Sequence, residues 1–169
     1  LSGWRLAFNG AEAVIPDTLR RFAARFAKFG LRWESLTPVY GLAEASVGLA
    51  FPPIGRGPLI ERIERQSFAQ RGDASPASAT DPQPLQFVSC GRVLPGHALR
   101  MVDGAGVEVA ERTEGRIEFT GPSATQGYFN NSEGTAQLFR DGWLDSGDRG
   151  YIANGELFVT GRVKDIIIR

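Results

Sequence analysis

The chain has 169 residues, with nineteen Lys and Arg balanced by nineteen Asp and Glu. That balance removes the net basic footprint of a chain that tracks nucleic acid or an anionic lipid surface, and so discounts both as primary partners. A single cysteine, Cys90, and a single histidine, His97, exclude an internal disulfide and a Cys/His metal cluster; they read as a small buried inert thiol and a solvated or core-edge imidazole.

No apolar run approaches the ~20 residues needed to cross a bilayer. Leu1 to Gly10 lacks a basic region followed by an apolar stretch, so neither stable membrane insertion nor an export signal is expected, and a reducing cytoplasm fits. The chain opens on Leu1 in mid-pattern and stops at Arg169 just after Ile166 to Ile168. Both ends are expected to be cut from something longer.

Trp4 to Phe8 alternates like a strand and runs into the turn Asn9-Gly10-Ala11 before Pro16-Asp17 opens a helical pattern. From Thr18 to Phe29 the apolar residues Leu19, Phe22, Ala23, Phe26, Ala27 and Phe29 recur near helical spacing. Gly30 closes the helix, and the Phe stripe is expected to be core. Leu36 to Tyr40 reads as a short buried strand. The resulting strand-helix-strand unit puts its loops where an α/β sheet binds nucleotides.

Between Phe51 and Pro84 stand six prolines, scattered charge and the small-residue tract Gly72 to Thr80. One amphipathic candidate, Leu59 to Phe68, interrupts what is expected to be an insertion or long surface excursion, partly mobile. Beyond it the chain turns β-rich, with strands expected at Leu85 to Cys90, Ala98 to Val102, Arg116 to Thr120, Gly150 to Ala153 and Glu156 to Thr160. Turn signals separate them, and Asn154-Gly155 predicts a hairpin. There is no internal repeat.

Two glycine-bracketed groups offer polar side chains at turns, as nucleotide recognition needs. Tyr40-Gly41-Leu42-Ala43-Glu44 combines an aromatic face, a flexible backbone and a carboxylate, and Trp143-Leu144-Asp145-Ser146-Gly147-Asp148 presents an acidic turn. A carboxylate such as Asp148 can accept hydrogen bonds from both ribose hydroxyls. Trp143, Phe119 and Phe129 read as packing, core or rim residues.

Taken together and in order, these groups resemble the core motifs of the adenylate-forming superfamily of acyl-CoA synthetases, luciferases and peptide-synthetase adenylation domains. Asn9-Gly10-Ala11-Glu12 resembles its adenine-binding turn and Tyr40-Gly41-Leu42-Ala43-Glu44 its aromatic-Gly-x-Thr-Glu motif. Gly115 to Pro122 with Gly127-Tyr128-Phe129 resembles a further core segment. Gly142 to Asp148 resembles the ribose-binding motif, and Gly161-Arg162-Val163-Lys164-Asp165 the hinge to a C-terminal domain. Ser2-Gly3-Trp4-Arg5, Pro38 to Ser46 and an insertion leaving through Val88-Ser89-Cys90-Gly91-Arg92 are more similar to the fatty acyl-AMP ligase branch than to acyl-CoA ligases.

The resemblance implies a mixed α/β segment of the large N-terminal domain: a nucleotide-pocket piece over 1–50, an insertion over 51–87, a β-rich, barrel-like subdomain over 88–165 and the start of a hinge over 162–169. It implies that Tyr40 stacks on adenine while Gly10, Ala11 and Glu12 line its pocket with Gly41, Leu42 and Ala43. Glu44 would act as the catalytic residue that holds Mg2+, Asp148 would bind ribose, Arg162 would assist at ribose or phosphate, and Lys164 would be the hinge. ATP, Mg2+, a fatty acid and the phosphopantetheine arm of an acyl carrier protein or a polyketide or peptide synthase carrier domain follow as cofactors and partners. The insertion would restrain the lid and disfavour coenzyme A. Ala43 departs from the hydroxyl residue common in the superfamily. The Gly/Ser/Thr-rich phosphate loop and the C-terminal adenylation lysine are missing, so the segment alone is expected to be inactive. An acyl-CoA ligase, and a non-catalytic nucleotide- or partner-binding module, are the alternatives.

Overall fold

The computed structural model describes residues 1–163, so Lys164 lies outside the described residues. The chain begins with β1 (Ala7–Asn9), α1 (Pro16–Phe26) and β2 (Leu36–Pro38), and β1 pairs with β2 in parallel, Ala7 opposite Leu36. This is the expected strand-helix-strand unit. Pro16 occupies the first turn of α1, where its missing N–H costs nothing. The helix tightens into a 3-10 turn over Ala27–Phe29 and ends at Gly30 with φ 83°.

The Phe stripe is only half core. Leu19 is buried with Leu31, Leu36 and Val88, and Ala23 and Phe26 pack against that cluster, but Phe22 and Phe29 are exposed. The reason is geometric: Leu31, Leu36 and Val88 cover the Leu19 flank of α1, and the aromatic row Phe22, Phe26, Phe29 continues past that cluster.

Next come β3 (Ala50–Phe51), β4 (Ile60–Ile63), α2 (Arg65–Arg71), β5 (Leu85–Val88) and β6 (Arg92–Val93). The expected loose excursion is therefore corrected. Its amphipathic stretch splits into a strand and a helix, β4 pairs antiparallel with β5, and the small-residue tract is tied down by Glu64 N–H to Ser75 O at 2.9 Å and Ala77 N–H to Arg62 O at 2.8 Å. Arg112 clamps the segment by donating to the Glu61 carboxylate at 3.0 and 3.4 Å and to the Ala74 carbonyl at 3.0 Å. Ile63 and Ala74 are sealed with Tyr151, Ala153 and Phe158.

The rest is β7 (Ala98–Val102), β8 (Gly115–Thr120), α3 (Ser132–Leu138), β9 (Phe139–Arg140), β10 (Trp143–Ala153) and β11 (Glu156–Arg162). The strands form an antiparallel sheet in the order β11-β10-β8-β7 with β9 on β10. The sheet is open, so the barrel-like expectation is corrected: no closed barrel is present among the described residues. Asn154 (φ 53°) and Gly155 (φ 72°) make the expected two-residue hairpin between β10 and β11.

Phe119 is fully buried as expected, whereas Phe129 is 94% exposed. It sits in the short turn closed by the Tyr128–Asn131 bridge, with nothing among the described residues packed over it. Trp143 is half-buried, with the Arg100 guanidinium 4.5 Å over its ring. One face of the sheet supplies Met101, Ile117, Phe119, Leu144 and Leu157, and these bury Tyr40, Ala45, Leu49 and Ala50 from the loop after β2. At about 1.5–3 kcal/mol for each large side chain buried, this contact fixes that loop on the sheet. No helix among the described residues is long and apolar enough to cross a membrane.

Candidate functional site

Parallel pairing sends the loops after β1 and β2 off the same end of their sheet. Val39 N–H donates to Asn9 O at 2.8 Å, and a Cβ on Gly10 would stand 2.9 Å from the Val39 carbonyl oxygen. Gly10 thus lets the first loop lie against the root of the second. Ala11 (φ 69°) and Glu12 follow, both exposed.

The second loop is a closed lasso. Tyr40 and Ala50 exchange backbone hydrogen bonds of 3.0 and 2.9 Å, and Leu49 N–H adds a third to Tyr40 O at 3.0 Å. Inside it the chain doubles back so tightly that a Cβ on Gly41 would fall 1.6 Å from the Val47 carbonyl oxygen. Leu42 packs on the core, and Ala43 to Ala45 form a 3-10 turn that leaves Ala43 exposed. The turn is clamped from outside: Ser123 Oγ donates to Ala45 O at 3.0 Å, Ser46 Oγ donates to Ser123 O at 3.1 Å, and His97 Nε2 lies 2.7 Å from Ser123 Oγ. The lone histidine is accordingly a core-edge residue.

Asp148 stands within β10 and not on the turn that the Trp143 to Asp148 group predicts. The register of β10 shifts between Asp145 and Arg149 against β8, and Gly147 takes φ 74°. Ser146 Oγ donates to Ile117 O at 2.7 Å while accepting from Asp148 N–H at 3.1 Å. Bulges of this kind re-aim a side chain, and here the re-aimed carboxylate meets Tyr40, whose hydroxyl donates to Asp148 Oδ2 at 2.8 Å. Arg162, opposite Asp148 in the β10–β11 ladder, places Nε 3.2 Å from Oδ1. Burial, reinforced by the Asp148 charge, pushes the Tyr40 phenol above its ordinary range.

Glu44 stands on the exposed side of the lasso. Its carbonyl oxygen accepts from Thr125 N–H at 2.7 Å, and its Oε1 accepts from the Tyr128 hydroxyl at 2.6 Å. That hydrogen bond, with burial second, pushes the Tyr128 phenol up to about 12. Cys90 is buried in the same core as Tyr40, and burial pushes its thiol up to about 12, as befits an inert residue.

The structure therefore gathers Tyr40, Asp148 and Arg162 at one pole of the lasso and holds Glu44 at the other, with Gly10, Ala11 and Glu12 on the neighbouring loop. Sequence reasoning missed Tyr128 as a partner of Glu44. The signal was the Gly127-Tyr128-Phe129 group, but nothing local relates it to a carboxylate 84 residues away. Two clefts, about 500 and 230 Å3, are lined around Arg65 by residues of α1, α2 and the 78–86 stretch, and share no residue with this group.

For Mg2+, the donor chemistry fits a cation carried largely by substrate oxygens. Glu44 supplies a hard carboxylate oxygen, and no cage of three or more His, Cys, Asp or Glu exists among the described residues.

Residues 1–129 match the sequence model of the family described as AMP-binding enzyme. The chain is 38% identical to a putative acyl-CoA synthetase of Caulobacter vibrioides, over 99% of this chain and 30% of that protein. It is 34% identical to JamA of Moorena producens, a medium-chain fatty-acid ligase to acyl carrier protein, again over 99% of this chain and 30% of the relative. A solved chain from work on fatty acyl-adenylate ligases of E. coli and L. pneumophila superposes with a TM-score of 0.92 at 37% identity, covering 100% of this chain and 31% of its own. The chain thus spans about 30% of the length of the curated relatives it matches.

Proposed function

The chain belongs to the AMP-binding enzyme family, and from that premise we propose that it is part of a fatty acyl-AMP ligase, which uses ATP to activate a fatty acid as its acyl-adenylate. The observation that carries the reading is the meeting of Tyr40, Asp148 and Arg162 within hydrogen-bonding and ion-pair reach. A carboxylate held from both sides by a phenol and a guanidinium is pre-oriented to accept two ribose hydroxyls, with no cost of ordering at the moment of binding. Tyr40 is only 7% exposed. Its hydroxyl therefore does more than its ring, bracing Asp148 while the remaining ring face adjoins adenine beside Gly10, Ala11 and Glu12. Arg162 offsets the Asp148 charge and reaches toward ribose or phosphate.

In the reaction, a fatty carboxylate oxygen bonds to the α-phosphorus of ATP as the bond to pyrophosphate breaks. The resulting mixed anhydride then yields its acyl carbon to the phosphopantetheine thiol of a carrier protein: the C–S bond forms, AMP leaves and the thiol proton passes to solvent. Positioning and charge neutralisation carry such transfers. Glu44 would hold Mg2+, which when bound neutralises the phosphate oxygens. Ala43 offers no hydroxyl to the α-phosphate, so that contact falls to other donors. Residues 51–87 are the branch-specific insertion in this reading, Lys164 is the hinge, and ATP as co-substrate makes the cytoplasm the expected compartment.

The test uses the whole protein with labelled fatty acid, ATP and Mg2+, with and without coenzyme A. Label retained as acyl-AMP in the presence of coenzyme A, and passed on when a carrier protein is added, is the expected result. Conversion to acyl-CoA moves the assignment to the acyl-CoA ligases, and absence of any adenylate overturns it.

A further inference from the structure

We propose that Tyr128 is a positioning residue for the Glu44 carboxylate, turning it toward a divalent cation shared with the phosphates of a bound nucleotide. The proposal rests on the reading of Glu44 given above.

Glu44 is gripped twice by the same stretch of chain. Thr125 N–H takes its carbonyl oxygen at 2.7 Å, and the Tyr128 hydroxyl takes its Oε1 at 2.6 Å. The donor is itself fixed. Tyr128 N–H donates to Thr135 Oγ1 at 2.9 Å, and that hydroxyl donates to Asn131 O at 2.8 Å. Upstream, the Thr125 hydroxyl donates to Gly127 O at 3.0 Å. Acceptor and donor are thus tied down by separate backbone contacts, so the O–H···O bond between them has a set direction.

Two consequences point to a cation. Among the described residues the hydrogen bond to the carboxylate falls on Oε1, which leaves Oε2 as the ligating oxygen. No Lys or Arg among the described residues pairs with Glu44, although Glu61, Glu114, Glu118 and Glu156 each have an arginine. A half-buried carboxylate oriented by a neutral donor, with its charge uncompensated, has the form of a metal ligand with its outer-shell hydrogen bond already made.

The experiment titrates Mn2+ into the whole protein by electron paramagnetic resonance, at saturating non-hydrolysable ATP analogue, for wild type, Tyr128→Phe, Glu44→Gln and the double variant. Tyr128→Phe keeps the ring and removes only the donor. It is expected to weaken Mn2+ binding about 10–100-fold while leaving the metal-free affinity for the analogue unchanged. Glu44→Gln is expected to weaken it at least as much, and the double variant no more than Glu44→Gln. Mn2+ affinity unchanged in Tyr128→Phe but lost in Glu44→Gln overturns the positioning role and leaves the reading of Glu44 standing. Affinity unchanged in both overturns the two together, and additive losses in the double variant also overturn the positioning role.

Discussion

Tyr40 and Asp148, 108 residues apart in the chain, are joined by a 2.8 Å hydrogen bond between phenol and carboxylate. The bond exists because two local irregularities face each other, the lasso that starts at Tyr40 and the bulge that takes Asp148 out of register with β8 while it stays paired with β11. Removing the hydroxyl in Tyr40→Phe leaves Arg162 as the partner of the Asp148 carboxylate among the described residues. A hydrogen bond to a charged group contributes about 1.5–3 kcal/mol, so ATP binding to the whole protein is expected to weaken roughly 10- to 100-fold by calorimetry. The loss should be smaller for 2′-deoxy-ATP, which already lacks one hydroxyl. Equal losses for both nucleotides would detach Tyr40 from the ribose contact.

Where local chemistry decides an outcome, the sequence was legible. Pro16 opened α1 and Gly30 closed it, and Asn154-Gly155 made the β10–β11 hairpin, because backbone dihedrals at those positions are set by the residues themselves. Tyr40, Glu44 and Asp148 were nominated by motif. What could not be read were outcomes set by distant partners. The Ser146 to Asp148 bulge depends on Ile117 O as acceptor, the Glu44–Tyr128 bond spans 84 residues, and the order in 51–87 comes from Arg112 and the Tyr151–Phe158 stack. Phe129 misled for the opposite reason: among the described residues its apolar side chain has nothing to fold against and stays 94% exposed.

Gly41 is the steric pivot of the lasso. In Gly41→Ala the new methyl would lie 1.6 Å from the Val47 carbonyl oxygen, a contact with backbone that no rotamer relieves. The lasso must open, displacing both Tyr40 and Glu44. Nucleotide binding is expected to be abolished and the thermal midpoint lowered, whereas Gly104→Ala, with nothing within 4 Å, should leave both unchanged. Parallel nucleotide titrations and melting curves of the two variants check this.

Val47 completes the same loop under strain. It is a β-branched residue at φ 79°, 77% exposed, a conformation that costs on the order of 1–3 kcal/mol for a non-glycine residue. Exposure means the side chain gives little back in packing. Val47→Gly is therefore expected to raise the thermal midpoint slightly, in contrast to the usual sign for substituting glycine. A lowered midpoint would mean that the valine side chain makes contacts in the whole protein worth more than the strain.

Glu156 links the 51–87 stretch to the hairpin that carries Arg162. Its side chain is 7% exposed and pairs with both terminal guanidinium nitrogens of Arg56, while Ser89 Oγ donates to Oε2. Burial alone would raise the carboxyl, but the hydrogen bonds from Arg56 and Ser89 outweigh it and hold the group below its ordinary 4.5. A depressed native value means that the unfolded state takes up protons first as pH falls. The stabilisation is therefore fully present above about 4.5, the unfolded value, and drains away as pH drops through the native one. Amide exchange at Cys90 and Leu157, whose N–H groups donate to Leu157 O and Gly91 O at 2.8 Å, reports the opening of this joint. Wild type is expected to be better protected than Glu156→Gln at pH 7 and to lose that advantage in acid. Arg56→Ala, which strands a buried carboxylate, is expected to cost about 3–5 kcal/mol of local stability at neutral pH. Protection that differs between wild type and Glu156→Gln by the same amount at every pH would show that the charge of Glu156 is not what holds the joint.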